Sequence, residues 1–277
     1  VHPVADRDDS GLHHHLESGE KMGKLISTTL TRALLGLLII VALGPILWTV
    51  LGAFKELRDI VTPVPKLIFE PTLDNFATIL RNPTIRDGLM HSVIVVSASV
   101  LIGALLGIPA AHSLARHARR WGDDVQFFVL SLRFMPPVAI AIPFIVIYLD
   151  LGIYDTLFGL ILVYLITTIS TVIWLAVPAF ERVPHDIEEA AAMEGCGPAE
   201  VFWRFSLPLA APSLFGALVF TFVLVWNELL LALTLAAQNA TLPVVAASIT
   251  SLGKEVPWGV INAATVLLVL PPLVFIG

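Results

Sequence analysis

The chain has 277 residues, of which 57% are hydrophobic and only 14% charged, with a mean hydropathy of +0.87 and a formal net charge of −6. A soluble domain carries about a quarter of its residues charged, so the charge deficit sets this chain apart, and nothing in it resembles the basic field of a nucleic-acid binder. The single cysteine, Cys196, excludes an internal disulfide and an all-cysteine metal site.

Residues 1–20 are polar and acidic and include His13, His14 and His15. Such a segment reads as a disordered tail, native or added for expression, in preference to a metal site. The expected organisation is a tail over residues 1–30 and one membrane domain over 31–277. Apolar runs follow at 33–53, 93–115, 125–149, 157–180 and 213–237, and a sixth begins near Trp258 and is still apolar at Gly277, which reads as an incomplete last helix. A helix needs roughly 20 apolar residues to cross a bilayer. The runs are continuous rather than alternating, so helices are expected and β-barrel strands are not. The first run is long, begins 32 residues in and has no small-residue cleavage site, so it reads as a span rather than a signal peptide. The expected class is an all-α polytopic membrane protein of about six transmembrane helices.

Lysine and arginine collect in short cytoplasmic loops. The densest cluster, RHARR at 116–120, follows the second run, whereas DLGIYDT between the third and fourth runs has neither residue. This arrangement predicts a cytoplasmic N-terminus, an external 54–88 segment, a cytoplasmic 181–212 insert and an external 238–257 segment. Lys55, Arg58, Lys66, Arg81 and Arg86 in the 54–88 segment run against that assignment.

The insert is patterned as two short helices. Pro184 suits a first helical turn, Ala190, Ala191 and Ala192 are strong helix formers, and Glu188 and Glu189 complement the positive N-terminal end. Gly195 and Gly197 supply positive-φ positions, Pro198 restarts a helix, and the pattern predicts a stop at Pro208. Val201, Phe202, Phe205 and Leu209 share a face that could lie along the membrane interface. A simple amphipathic linker fits this pattern as well as a docking element does.

Glu189-Ala190-Ala191, then Gly195 three residues on, Phe205 nine further, and Leu207-Pro208 match the pattern E-A-A-x3-G-x9-I-x-L-P, with phenylalanine for the usual isoleucine. The insert therefore resembles the EAA loop of permease subunits of ATP-binding-cassette importers. LRFMPPVAIAIPFIVIYLDLGIYDT and FVLVWNELLLALTL resemble the MalG-like carbohydrate branch, and the similarity covers roughly residues 30–277. The resemblance implies a prokaryotic inner-membrane protein that pairs with a MalF-like second permease, an ATPase dimer and an extracellular or periplasmic substrate-binding protein. ATP and Mg would reside on the ATPase subunits, with no cofactor on this chain. Glu188, Glu189, Ala190, Ala191, Gly195, Leu207 and Pro208 would form the coupling segment, with Glu189 as the acidic contact and Gly195 as the turn.

Arg133 lies in the third run, and Trp226, Asn227 and Glu228 fall within the fifth. An ionisable residue at membrane depth costs about 2.5–3.5 kcal/mol, so it is paired or lines an aqueous path. Two readings stand: a translocation pathway, or a lock between Glu228 and Arg133 or between Glu228 and a partner chain. Pro109, Pro136-Pro137, Pro143 and Pro271-Pro272 interrupt helices at depth, and Gly103 and Gly107 form a G-x-x-x-G pair suited to close packing.

No Walker A, H-E-x-x-H or G-x-S-x-G sequence occurs. The rivals to a carbohydrate importer subunit are a permease of the same kind for another solute and, from a different class, a secondary transporter or channel that needs no ATPase.

Overall fold

A computed structural model describes the backbone of residues 9–117, 122–249 and 256–276, and the side chains of 29–116, 124–249 and 256–275. Arg119 and Arg120 of the basic cluster, and the side chains of His13 to His15, lie outside the described residues.

The described residues form helices and no strands. Helix α1 (Asp9–Ala53) begins well within the segment expected as a disordered tail and continues into the first apolar run. A helix satisfies its own backbone hydrogen bonds, so a polar sequence can extend a span beyond its apolar part. Along this helix, Leu34, Leu38, Ile40 and Leu47 are all more than half exposed. They form no core of their own, as expected of a surface that meets lipid or protein.

From Ala53 onward the chain forms a second compact unit. Helices α2 (Leu57–Ile60) and α3 (Asp74–Arg81) lie in the 54–82 connection. The Asn75 side-chain amide donates to the carbonyls of Ala53 and Lys55, at 2.9 and 2.8 Å. The Ala53 carbonyl is one that the end of α1 leaves without an intrahelical partner. Gly259 packs onto Asn75 so closely that a Cβ there would lie 2.6 Å from the amide, which binds the start of the last span to α3.

The spans are α4 (Pro83–His117), α5 (Gly122–Arg133) with α6 (Pro137–Leu151), α7 (Leu157–Glu181), α10 (Leu207–Trp226) and α13 (Trp258–Ile276). With α1, this makes five helices long and apolar enough to cross a membrane among the described residues, or six when the bent pair α5–α6 counts as one. The structure thus has the expected all-α polytopic class.

Two of the expected spans are broken. The 125–149 run is two helices meeting at 82°, with Phe134, Met135 and Pro136 between them. Proline cannot donate a backbone hydrogen bond and disfavours helix in the residue before it, so Pro136-Pro137 ends α5 and restarts the chain as α6. The 213–237 run ends at Trp226, and a short α11 (Leu230–Leu235) resumes after three residues. Helix α12 (Leu242–Ser248) follows in the connection to α13.

The seam between α4 and α7 organises the core. A Cβ on Gly103 would lie 2.8 Å from Thr168 Cβ, and one on Gly107 would lie 2.8 Å from Val172 Cγ1. The glycine pair therefore does the packing work its spacing predicts, with α7 of the same chain as partner. Thr168 and Val172 are fully buried in this seam. At the end of the unit where α6 meets α7, Asp155 adopts φ 56° and its carboxylate accepts the backbone N–H groups of Gln238 and Asn239. Its carbonyl accepts from the Asn239 side chain at 2.6 Å. One aspartate thus ties the α6–α7 turn to the segment after α11.

Candidate functional site

At the other end of α7 the chain makes a three-residue turn into α8 (His185–Met193), which is too short and too polar to be a span. Pro184 stands just before the first helical residue rather than within the first turn. The exit is a Schellman motif, with Cys196 N–H donating to the Ala191 carbonyl at 3.1 Å and Gly195 N–H to Ala192 at 3.0 Å. Gly195 has φ 92°, as its place in the pattern predicts. Gly197 does not share that conformation: its φ is −73° and it caps the following helix, α9 (Pro198–Val201).

The second half of the insert differs from expectation. Helix α9 runs into a π turn (Phe202–Ser206) and then directly into α10, giving one helical path from Pro198 to Trp226. Leu207 N–H reaches back five residues to the Phe202 carbonyl, and Pro208, with no N–H to give, follows at the second position of α10. The π turn absorbs the register change that the proline imposes, so Pro208 does not stop the helix. The predicted interfacial helix is instead the end of a span. Leu207 packs half-buried against the cluster of Ala111, Phe180 and Phe202, and the exposed Pro208 follows it at the base of α10.

Helix α8 turns its consecutive carboxylates, Glu188 and Glu189, about 100° apart around its axis. Glu189 is 69% exposed in its side chain and pairs with His185 one turn earlier, at 3.1 Å. Ala190 and Met193 are exposed beside it, whereas Ala191 is buried. Beneath this helix lies an apolar hollow of about 320 Å³, lined by Ile187, Ala190, Ala191 and Phe205 together with Asp186 and Glu194.

Glu188, expected as part of the coupling segment, turns toward the spans. It is 8% exposed, and Arg116 from the end of α4 donates Nε to its Oε2 at 2.7 Å. Ser206, in the π turn, donates to Oε1 at 2.7 Å. Arg116 Nη2 also donates to the Val183 carbonyl at 2.9 Å, just past the end of α7. His112 lies edge-on to Phe180 and Phe202, with Nε2 3.5 Å from Glu188 Oε1. Residues on α4 and in the π turn therefore meet on one carboxylate, and Arg116 also holds the α7–α8 turn. Sequence reasoning missed Ser206, His112 and this use of Arg116. The available signal was Glu188 and Ala191 at i and i+3, which share a face that Glu189 does not.

Burial alone would raise the Glu188 pKa. The hydrogen bonds from Arg116 and Ser206 and the charges of Arg116 and His112 outweigh it and hold the carboxyl below its ordinary 4.5. A carboxyl depressed on folding stabilises the protein above that ordinary value, and the contribution is lost as pH falls through the lower folded-state value. The detergent-solubilised protein should accordingly show a thermal midpoint that drops below pH 4.5, and Glu188→Gln should flatten that acid limb.

The polar residues within the spans take separate positions. Arg133 ends α5 with its guanidinium 4.8 Å from the Trp174 ring and 5.7 Å from Phe220. Asn227 is exposed at the end of α10, with its amide donating to Val223 at 2.7 Å. Glu228 Oε1 accepts the N–H of Leu231 at 3.0 Å and so caps α11. Tyr164 reaches the Glu228 carbonyl at 3.4 Å. Trp174 and Tyr164 are about 15 Å apart along α7 at 1.5 Å per residue. Arg133 and Glu228 are thus held at different depths, and the lock between them does not form.

Trp226 is a helix lock of another kind. It is 1% exposed and donates Nε1 to the Leu268 carbonyl of α13 at 2.8 Å. Pro272, four residues after Leu268, has no N–H to fill that carbonyl, so the indole replaces the bond the proline removes. Trp226→Phe should cost about 1–3 kcal/mol by leaving a partly buried carbonyl unpaired. The loss should appear as a lower thermal midpoint in detergent.

An all-α unit of broken and unbroken spans, carrying a short polar helix on a glycine elbow between two of them, defines a polytopic permease subunit. The chain belongs to the family described as binding-protein-dependent transport system inner membrane component, whose model matches residues 103–276. It is 31% identical over 240 residues to the trehalose transport system permease protein SugB of Mycobacterium tuberculosis, covering 85% of this chain and 86% of that one. It is 27% identical over 239 residues to the trehalose/maltose transport system permease protein MalG of Thermococcus litoralis, covering 85% and 86%. The fold is similar to that of a chain in a bacterial ABC transporter involved in import of the acidic polysaccharide alginate, with a TM-score of 0.74, 19% identity, and 99% of this chain and 96% of that chain covered.

Proposed function

We propose that this chain forms half of the translocation pathway of an ATP-driven importer for a sugar, polyol or related carbohydrate, and that α8 is its docking helix for the ATPase. The observation that carries the reading is the outward face of α8. Glu189 and Ala190 are both exposed on a helix that crosses no membrane, and Ala190 borders the apolar hollow closed by Phe205. Small side chains permit close approach, and an exposed carboxylate offers a charge-assisted bond to an arginine of the partner. The carbohydrate class is supported by relatives named for trehalose and for trehalose/maltose transport.

In this reading the α8 end of the bundle and the N-terminus face the cytoplasm, where the ATPase subunits hold ATP and Mg. A second permease completes the pathway, and a substrate-binding protein meets the opposite, Asp155 end. Asn227 and Glu228, at the break between α10 and α11, border the path, because broken helices expose backbone groups where a route is lined. Closure of the ATPase dimer moves α8 and rocks the attached spans, giving alternating access.

The test is affinity purification of the chain co-expressed with its operon neighbours, followed by uptake in proteoliposomes across a sugar and polyol panel. ATPase subunits should co-purify and uptake should require ATP. Solute uptake by the chain without any ATPase would sink the reading in favour of a secondary transporter or channel.

A further inference from the structure

We propose that Glu188 is a positioning residue that fastens the docking helix α8 to α4 and α10, so that a push on α8 moves the spans instead of bending the loop. This rests on the reading of α8 as the docking segment. The two links that flank α8 are short and one contains Gly195, which has no side chain to resist rotation and no atom within 4 Å of where a Cβ would sit. Held by its ends alone, α8 could swing on that elbow, and a force on Glu189 and Ala190 would be spent there.

The buried cluster removes that freedom. Glu188 Oε2 is held from α4 by Arg116 and Oε1 from the π turn at the base of α10 by Ser206, both at 2.7 Å. Arg116 fixes the Val183 carbonyl as well, so the turn from α7 into α8 is held by the same guanidinium. The side chains of Glu188 and Arg116 are 9% and 7% exposed. Pulling α8 away would strand a buried carboxylate and a buried guanidinium without partners, which is far more costly than rotating a glycine. The cheaper response to a push is for α4, α8 and the base of α10 to move together. The consecutive glutamates thereby divide the task about 100° apart around the helix, with Glu189 facing outward and Glu188 facing the spans.

The experiment compares the complete transporter in proteoliposomes, unaltered and carrying Glu188→Gln, Ser206→Ala or Glu189→Ala. Two quantities are read, the ATPase subunits retained on purification and the solute moved per ATP hydrolysed. The second is a ratio, which partial unfolding does not change because inactive complexes drop out of both terms. Glu188→Gln should retain its ATPase subunits and lower solute per ATP by about tenfold or more, and Ser206→Ala by about threefold, the scale of losing a charged and a lesser hydrogen bond. Glu189→Ala should instead lose ATPase subunits. An unaltered ratio in Glu188→Gln overturns the proposal. So does loss of ATPase subunits matching that of Glu189→Ala, which would make Glu188 a docking contact. If Glu188→Gln does not assemble, Ser206→Ala decides, and an unaltered ratio there overturns the proposal equally. Failure of the docking reading is a separate result, seen as Glu189→Ala retaining both its ATPase subunits and its uptake.

Discussion

Replacing Gly195 with proline should abolish ATP-driven uptake while the chain still reaches the membrane in normal amount. Gly195 has φ 92°, and proline is confined near −65°, so the elbow cannot keep its path. The same change deletes the N–H that donates to Ala192 at 3.0 Å and breaks the Schellman pair that ends α8. The local cost is about 3 kcal/mol or more, and it falls on the helix that presents Glu189. No atom lies within 4 Å of a Cβ built at Gly195, so crowding has no part in the effect. Gly195→Ala therefore isolates the left-handed backbone strain of about 1–2 kcal/mol and should give an intermediate uptake. Glu189→Ala should reach a similar loss of uptake by another route. Its His185 pair is exposed, so the fold loses little and docking loses its charge. Uptake of labelled solute, set against chain abundance by immunoblot of isolated membranes, reads all three. Uptake at the unaltered rate by Gly195→Pro would remove α8 from the coupling path.

Gly107→Val is expected to prevent stable folding of the bundle. The new Cβ would start 2.8 Å from Val172 Cγ1 and 3.1 Å from its Cβ, both belonging to a fully buried side chain on α7. Gly103 meets Thr168 in the same way one turn earlier, so the seam cannot relax by sliding along the helix. Overpacking of this kind costs about 1–3 kcal/mol per site, and separating α4 from α7 would also pull Arg116 from Val183 and Glu188. The fraction of monodisperse protein after detergent extraction should collapse for Gly107→Val. Gly216→Ala, where nothing lies within 4 Å, serves as the comparison and should hold or gain stability. Equal recovery of the two variants would show that the seam tolerates a larger separation than its geometry indicates.

The spans and the motif were legible because both depend on local signals. A run of about 20 apolar residues can do little but cross a bilayer as a helix, and α1, α4, α7 and α13 follow from that reasoning. The 125–149 run also met the length criterion, yet it is two helices at 82°. Pro136-Pro137 marked the position, but a proline pair does not specify an angle. Pro208 misled in the opposite direction, since a π turn lets the helix pass through a residue that usually ends one. Arg133 and Glu228 read as partners from charge alone. Arg133 instead faces Trp174 and Phe220, and Glu228 caps α11.

What the sequence by itself determined is the class of the chain, the position of its polar helix between two spans, and Glu189, Ala190 and Gly195 as the pattern that names the helix. These depend on composition, on 3.6-residue periodicity and on the one backbone conformation that glycine tolerates, all of which are properties of neighbouring residues. Only the tertiary structure decided that Glu188 turns inward while Glu189 turns outward. That outcome depends on Arg116, 72 residues earlier, and Ser206, 18 residues later, arriving at the same carboxylate. Burial of a charge is settled by which distant groups can compensate it, and no local pattern records which groups those are.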